Sequence, residues 1–458
     1  MGPRMGGLAI LVGIGSVTAR ADQFHYQNIL IGDRAVGLGG AYGGVSDDAS
    51  GVFYNPGGMA FALSNDVSGS ANAFFSRKVV YKGAIGNRDF EEHSRGSVPS
   101  FFGGLQKLDR IAEGLVAGFA IYSTDGETKD QDDLVKDQNL GNGVALDRLH
   151  RTVNFRGSTT YFAAAISKRF FSRLGIGLGA SFFSVDELFQ DYQDVRMRLT
   201  CTRKVTQNGV DSRENLEGCQ RFLTQNIREH LSATGIEPVL GVQWAPITEL
   251  SVGLSVKRGI LLTDEIKRST DARVMYLFDG DLVDNVVYSG TGVSPTGIIE
   301  QRQEPEDEGG TIKDALGEWP MESRLGLAWF ASTRLLVTGD IVYKGSAKGK
   351  DTRQDRGSVT NFGLGAEVYA TPSIPIRAGI FTNNDARPDV DPKKANQPDH
   401  IDYKGASLFL GWVQPNSQIS VGTVAQRGTG SAQKAGGEKI QDVEAQSVTF
   451  AFSASHNF

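Results

Sequence analysis

The segment RLGIGLGASFF, residues 173–183, indicates the class of fold because apolar and small side chains alternate along it. Every second position from Leu174 to Phe182 is apolar, and glycine or serine fills most of the positions between them. A period of two residues places the two sets on opposite faces of an extended strand. The segment therefore predicts a β-strand with one apolar face and one face of small residues.

The same alternation recurs along the chain. It is present in ELSVGLSVK (249–257), in FGLGAEVYA (362–370) and in VTFAFSASHNF (448–458), where the last residue, Phe458, lies on the apolar face. Strands of soluble β-sandwiches also alternate, so one such segment does not distinguish a soluble β-sandwich from a membrane β-barrel. Many long strands, a small or charged second face and a terminal aromatic residue together favour a transmembrane β-barrel.

The connections between alternating segments give the number of strands. Six are short, and seven are long and charged. The short ones are centred on 108–110, 172–173, 246–248, 332–333, 371–373 and 415–416. The long ones cover 82–97, 124–154, 188–233, 263–317, 345–356, 384–402 and 428–442. Because the two kinds alternate, they require about fourteen antiparallel strands in an all-β barrel over residues 66–458, with the long loops outside the cell.

The first residues of the chain predict an export signal. Arg4 precedes the apolar run MGGLAILVGIGSV (5–17), and Ala-Arg-Ala at 19–21 has the small-x-small pattern of a signal-peptidase site. The run is shorter than the about 20 residues that a membrane-spanning helix needs. Loss of residues 1–21 would change the formal net charge from −6 to −8, which argues against a nucleic-acid partner. We therefore expect a mature chain that begins at Asp22 and resides in the bacterial outer membrane.

Residues 22–65 precede the first predicted strand, and glycines crowd the stretch GLGGAYGGVSDDASGVFYNPGGMAFA (37–62). A dinucleotide-binding fingerprint is excluded because Tyr42 stands where its third glycine belongs, and no Gly-Lys-Ser/Thr follows. We expect residues 22–65 to fold back into the barrel lumen as a plug, since glycine permits tight reversals of the backbone. A tail in the periplasm is the alternative.

The stretch GDRAVGLGGAYGGVSDDASGVFYNPGGMA (32–60) resembles the N-terminal plug, or hatch, of FadL/TodX-type outer-membrane transporters of hydrophobic compounds. The shared features are an Arg-Ala-x-Gly-x-Gly-Gly-Ala run, an acidic pair and a Tyr-Asn-Pro turn. The fourteen strands of that family agree with the number deduced above. The resemblance assigns the hatch motif to Arg34, Gly37, Gly39, Gly40, Asp47, Asp48, Tyr54, Asn55, Pro56 and Gly57.

The chain departs from this family in two places. Gly57 and Gly58 stand where the family has Ala-Gly, and the stretch GFAIYSTDGE (118–127) lacks the Pro-Phe-Gly that is common after the third strand of fatty-acid transporters. The second departure weakens the expectation that the ligand is specifically a fatty acid.

The resemblance implies passive uptake of hydrophobic molecules such as long-chain fatty acids, with no enzymatic activity and no cofactor. The molecule would enter at the outer loops, occupy a pocket in the lumen and leave sideways into the membrane beside a kinked third strand. Gly118, in LVAGFAIYS (115–123), is the residue of that strand best suited to bend it. It equally suits a small lumen-facing position beside the plug.

The expected partners follow from the same resemblance. They are a hydrophobic small molecule, outer-membrane lipid and the barrel assembly machinery, which would recognise the terminal aromatic residue Phe458, and the chain is expected to act as a monomer. A general water-filled porin and a surface interaction or adhesion barrel are the alternative functions.

Two arginines are candidate ligand-binding residues. Arg324 and Arg377 lie out of phase with the apolar residues of their segments, so both are predicted to point into the lumen. One interpretation is an interior network of ion pairs with the lumen-facing acids Glu322, Asp340 and Glu367. The other is that Arg324 or Arg377 binds the carboxylate of an amphipathic ligand, to which a guanidinium group is well suited.

The cysteines and histidines indicate a disulfide but no catalytic or metal-binding site. Cys201 and Cys219 are the two cysteines of an exported chain and predict a disulfide within the third long loop. No set of ligands suitable for a metal ion is evident. The histidines at 93, 150, 230 and 400 fall in separate predicted loops and do not indicate a hydrolytic site.

Overall fold

The computed structural model describes residues 24–86, 88–288, 292–303, 310–394, 397–434 and 439–458. The predicted signal peptide, residues 1–21, lies outside this part of the chain. Two short helices come first, α1 (Asp33–Gly37) and α2 (Gly51–Tyr54), and a 3₁₀ helix follows at Pro56–Phe61. No helix among the described residues is both long and apolar enough to cross a membrane.

Strands form most of the remaining structure. In chain order they are β1 Asp66–Ile85, β2 Arg88–Lys107, β3 Leu115–Gly141, β4 Val144–Phe170, β5 Leu174–Gln207, β6 Val210–Ile247, β7 Leu250–Arg258, β8 Ile260–Phe278, β9 Asp281–Leu282, β10 Val286–Tyr288, β11 Gly292–Ser294, β12 Ile298–Gln303, β13 Thr311–Lys313, β14 Met321–Ser332, β15 Leu335–Lys344, β16 Val359–Thr371, β17 Ile374–Asn383, β18 His400–Gln414, β19 Ser417–Ala432 and β20 Gln441–Asn457. A second 3₁₀ helix, Thr352–Gln354, lies between β15 and β16.

Fourteen strands of the described chain, β1–β7 and β14–β20, close into an antiparallel barrel. Each pairs with its neighbour in sequence, β7 pairs with β14, and β20 returns to pair with β1. Closure satisfies the backbone groups that an open sheet would leave unpaired in lipid. The prediction of a fourteen-stranded all-β barrel is confirmed, and the six short turns lie where the sequence placed them.

The outer ends of the strands are longer than the sequence predicted. The β5–β6 hairpin stays paired as far as Gln207 and Val210, through the segment 188–233 that was expected to be a loop. Polar residues occupy both faces of this segment, so its strands lack the apolar alternation that marks those in lipid. The strands stay paired because pairing satisfies the hydrogen-bonding groups of the backbone and because Val195 is still buried on the inward side.

The predicted disulfide is confirmed in this hairpin. Cys201 on β5 and Cys219 on β6 are bonded, with a Cα–Cα distance of 5.8 Å. Both are buried in a small apolar cluster with Tyr276 and Val286, which lie in the long segment between β7 and β14. The disulfide therefore joins strands that extend well beyond the apolar part of the barrel.

The two faces of the barrel wall differ in chemistry. Outward positions carry exposed apolar side chains, for example Leu178, Leu254, Leu408 and Phe450. Inward positions on the same strands carry buried glycine, serine and charged residues. An apolar outer band with a polar interior is the arrangement of a barrel surrounded by lipid.

Candidate functional site

Most of residues 24–62 are buried, and this segment contacts inward residues on several strands of the barrel. Gly43 N donates to the Asp340 carboxylate on β15 at 2.9 Å, and Ser255 Oγ on β7 donates to Tyr54 O at 2.7 Å. Ser407 Oγ on β18 donates to Gly37 O at 2.9 Å. These residues form the segment that we call the plug.

The plug approaches the wall most closely where both chains carry glycine. A β-carbon on Gly57 would lie 2.9 Å from Gly241 O on β6, too close for an ordinary contact. Gly39 has φ +66°, a backbone conformation that favours glycine, and faces Gly379 on β17. The small inward face that the sequence shows on several strands is thus the surface against which the plug packs.

Asn55 links the turn of the plug to the barrel. Its side chain is fully buried, and its Nδ2 donates to Gly43 O at 3.0 Å and to Val242 O on β6 at 3.1 Å. Its Oδ1 accepts a hydrogen bond from Gly57 N at 3.0 Å. One carboxamide therefore fixes two parts of the plug and one strand of the wall.

Tyr42 and three residues of the hatch motif, Asp47, Asp48 and Tyr54, form a second set of contacts. Tyr42 donates its hydroxyl to Asp47 and Asp48, both at 2.9 Å, and Tyr54 donates its hydroxyl to Ile31 O at 3.1 Å. Burial, together with the neighbouring Asp47 carboxylate, raises the pKa of Asp48. The hatch motif thus makes contacts within the plug as well as contacts between the plug and the barrel wall.

Arg377 lies in a buried cluster at the plug–barrel boundary. Its Nε donates to Glu367 Oε2 at 2.6 Å and its Nη1 donates to Ser420 Oγ at 3.0 Å. Arg34 of the plug binds the other oxygen of Glu367, with an Nη2–Oε1 distance of 2.7 Å. Asp33 of the plug lies 3.8 Å from Arg377. Glu367 therefore bridges one arginine of the plug and one of the wall.

Arg324 is held in a similar way. Its Nη1 donates to Asp340 Oδ2 at 2.9 Å, Glu322 lies 3.5 Å away, and the guanidinium carbon is 4.9 Å from the centre of the Tyr54 ring. The structure thus brings both candidate arginines together with the acids that the sequence proposed for an interior network. A role in binding a ligand carboxylate stays a prediction.

A row of aromatic rings runs along the inner face of β5, β4 and β3 and continues into the plug. We call this set the aromatic row, and it consists of Trp319, Phe183, Tyr161, Tyr122, Phe53 and Tyr54. The distances between successive ring centres are 4.6, 5.6, 4.9, 5.0 and 4.8 Å. The residues come from the segment before β14, from β5, β4 and β3, and from the plug. Most of these rings are buried, so an aromatic or aliphatic solute can pack on them only after the plug or the rings move.

A small lumen cavity of about 40 Å³ lies beside the row. Phe53, Tyr161 and Trp319 form its apolar side, and Lys257 and Glu322 are among its charged residues. Lys257 Nζ lies 4.1 Å from the centre of the Phe53 ring. The cavity is smaller than the roughly 300–1,000 Å³ of typical ligand sites, so a ligand requires movement of the plug or of the rings.

The ladder between β2 and β3 is interrupted. In the described residues Phe101 pairs with Tyr122, and the next pair along the ladder joins Arg95 to Thr128. Pro99, within the interrupted part of β2, has no backbone N–H to donate. Backbone pairing between β2 and β3 is therefore interrupted over this short stretch.

The irregularity of β3 lies beyond Gly118, which the sequence suggested as the bend. A bulge separates Ser123 from Asp125 in the pairing with β4, whereas Gly118 pairs regularly on both sides. A β-carbon on Gly118 would lie 2.8 Å from the Met59 side chain of the plug. Gly118 thus occupies a lumen-facing position where the plug packs.

The other candidate residues stay apart. His150 pairs with Asp132 and His230 with Asp186 on separate strands. Among the described residues no group of three or more His, Cys, Asp or Glu is placed to hold a metal ion. Phe458 is exposed at the end of the barrel, and its role as an assembly signal stays a prediction.

The sequence did not single out the aromatic row as a site. Apart from the neighbours Phe53 and Tyr54, its members are far apart in the chain, and those on strands are aromatic residues on otherwise small inward faces. The available signal was Phe183, which places a large ring on the inward face where glycines and Ser181 precede it. Alternation alone does not show which strands would bring such rings together.

Neither protein-family models nor curated protein sequences give a match to this chain. Solved structures do give matches. A FadL homologue from Pseudomonas aeruginosa is 12% identical, covering 95% of this chain and 100% of the homologue with a TM-score of 0.55. The toluene transporter TodX of Pseudomonas putida is 12% identical, covering 94% of this chain and 99% of TodX with a TM-score of 0.58. The chain therefore has, over nearly its whole length, the fold of the FadL homologue and of TodX, as its plug sequence predicted.

Proposed function

We propose that the protein resides in the outer membrane and admits small hydrophobic molecules, which leave sideways into the membrane between β2 and β3. The observation that supports this most is the course of the aromatic row. Its Tyr122 pairs with Phe101 at the edge of the interrupted β2–β3 ladder. A molecule that follows the row therefore arrives beside this gap in the pairing of the wall.

The plug argues against a general porin. Tyr42, Asn55 and Met59 are fully buried in the lumen, where the plug contacts β6, β15 and β18. An apolar solute gains no free energy from a water-filled passage, but it gains when it passes from water to rings and then to lipid. Lateral release suits such a solute, whereas a hydrophilic one would need the plug to be displaced.

Small neutral aromatic or aliphatic molecules are the substrate class that we favour. Arg324 and Arg377 already bind carboxylates of the chain, so a fatty acid would have to displace one of these partners. The aromatic row presents rings that suit uncharged solutes. TodX, which has the same fold, is described as a toluene transporter, and this supports the same class. Long-chain fatty acids are the second candidate.

Uptake of radiolabelled toluene by intact cells tests the proposal. Cells that carry the protein should take up toluene faster than cells without it. Tyr122→Ala should slow uptake by roughly tenfold, since a solute ring that packs on Tyr122 would lose a contact worth about 0.5–1.5 kcal/mol. Tyr122→Phe keeps the ring and should retain uptake.

Phe102→Ala is the matched control, because Phe102 neighbours Phe101 on β2 but is exposed on the outer face. It should leave uptake unchanged. Equal toluene uptake with and without the protein would refute the proposal. Large, steady ionic currents through the purified protein in planar bilayers would favour a porin instead.

A further inference from the structure

The barrel wall has a second break, beyond the paired ends of β7 and β14, which lie opposite β20 and β1 in the ring of fourteen strands. β7 pairs with both β6 and β14, but its pairing with β14 ends at Arg258 and Met321. After Gly259 the chain continues as β8, which stays paired with β6 but turns to β12 and β13 on its other side. The sheet therefore divides at Gly259.

A cavity of about 580 Å³ fills this division. Its apolar lining includes Pro238, Ile260, Leu261, Trp319 and Met321. We call this space the side cavity. Its volume lies within the roughly 300–1,000 Å³ of sites that hold small ligands.

The side cavity opens on the lipid-facing surface. Ile260 and Met321 are exposed, and Leu262 and Ile236 are exposed apolar residues beside them. All four lie on outward positions of their strands. A molecule dissolved in the outer part of the membrane therefore reaches the side cavity without crossing the polar loops.

Trp319 separates the side cavity from the lumen. It lines the side cavity and also the small lumen cavity that contains Phe53 and Tyr161. Its ring stacks on Phe183 at 4.6 Å, and the guanidinium carbon of Arg356 lies 4.9 Å from the ring centre. A β-carbon on Gly259 would overlap the Trp319 side chain, so glycine at the strand break gives the indole its place.

From these contacts we propose that the side cavity binds a small uncharged apolar molecule taken from the surrounding membrane, and that Trp319, the first ring of the aromatic row, is the movable barrier between this site and the other five rings. The inference rests on the proposed function and adds a binding site and an entry route. The apolar walls favour a single-ring hydrocarbon or a short aliphatic one. Exposed Arg258 and Glu318, which also line the cavity, offer no buried partner for a ligand charge.

Crystals of the wild-type protein soaked with bromobenzene give the direct test. The bromine should produce an anomalous peak against Trp319, between Ile260 and Met321. Gly345→Phe should abolish the peak, because Gly345 lines the side cavity and a β-carbon there would meet only Met321 backbone atoms, at 3.7 Å and beyond. Absence of the peak in wild-type crystals would overturn the proposal.

Toluene uptake by intact cells tests whether the site lies on the route. Gly345→Phe should reduce uptake by roughly tenfold, the lower end of the about 10–200-fold that a misfit of one methylene causes in an apolar pocket. Gly69→Phe is the matched control, since Gly69 lies on β1 and its β-carbon would have ordinary contacts, the nearest at 3.7 Å. This control should retain uptake, and both variants should show the heat-resistant gel mobility of a folded barrel.

Trp319→Ala should accelerate uptake because it removes the barrier, whereas Trp329→Ala, on the lipid face of β14, should not. Slower uptake by a folded Trp319→Ala barrel would overturn the barrier role. If the wild type takes up no more toluene than cells without it, the proposed function fails. If the wild type does take up toluene and Gly345→Phe equals it, the side cavity alone is overturned.

Discussion

Neighbouring residues of β17 show how differently the two faces of the wall are built. Ile376 and Ile380 are 40% and 58% exposed, whereas Arg377 between them is 1% exposed. In a soluble protein the isoleucines would be buried and the arginine would face water. The outward side of the strand therefore meets lipid, and the inward side meets the plug.

The difference teaches that the lumen of this barrel behaves as a polar protein core and not as a solvent channel. Arg377 and Glu367 form a short ion pair away from water, and the partly exposed Arg34 of the plug pairs with the same carboxylate. Exposed pairs on the outer strands, such as Lys78 with Glu91, are solvated and contribute little. Buried pairs of this kind impose a large penalty when one partner is lost.

Removal of the Arg377 charge should have the largest effect on stability. Arg377→Met leaves Glu367 with Arg34 alone, so the free energy of unfolding should fall by about 3–5 kcal/mol, with the lower end expected because one partner remains. Urea titration of the barrel in lipid vesicles measures this change. Arg377→Lys, which keeps the charge, should cost less.

The same variant separates the two roles considered for Arg377. If the guanidinium group also binds a ligand carboxylate, Arg377→Met should weaken the binding of a fatty acid more than that of a neutral analogue of equal chain length. Equal losses for the two ligands would leave only the structural role.

A charge placed on the outer face should have the next largest effect. Leu408 on β18 is 56% exposed among other outward apolar residues. Leu408→Arg should lower the free energy of unfolding in lipid by about 2–4 kcal/mol, the cost of an arginine near the middle of the membrane. Leu408→Ala is the control that removes the side chain without adding charge. Equal stability of the two variants would contradict the assignment of this face to lipid.

The outer face was predictable from sequence because its rule is local. Apolar residues at every second position mark strands in lipid, and short turns set their order. The same rule failed for the β5–β6 hairpin above the membrane, where polar residues occupy both faces and only backbone pairing and burial of Val195 and Met197 sustain the strands.

The interior was less predictable because its contacts join distant parts of the chain. The alternation of apolar and polar residues was enough to predict that Arg324 and Arg377 point into the lumen. It did not show that Asp340 would also accept a hydrogen bond from Gly43 of the plug. Gly259 is one glycine among many in the sequence, and its place beside Trp319 depends on how β8 leaves the sheet. Such features need the three-dimensional register of several strands.

The smallest of the expected effects on stability concerns the turn that joins the plug to the wall. Asn55→Ala removes two donor hydrogen bonds, to Gly43 O and Val242 O, and one acceptor bond from Gly57 N. Leaving buried polar groups unpaired costs about 1–3 kcal/mol. This cost should loosen the plug and slow toluene uptake, while barrel assembly, measured by surface abundance and heat-resistant gel mobility, stays normal.

Asn139→Ala is a matched control. The Asn139 side chain accepts the same type of hydrogen bond, from Gly141 N at 2.9 Å, but it does so in an exposed turn outside the plug. If Asn55→Ala takes up toluene as fast as wild type at equal surface abundance, the hydrogen bonds of this turn do not control passage. The plug would then only fill the barrel and would not regulate transport.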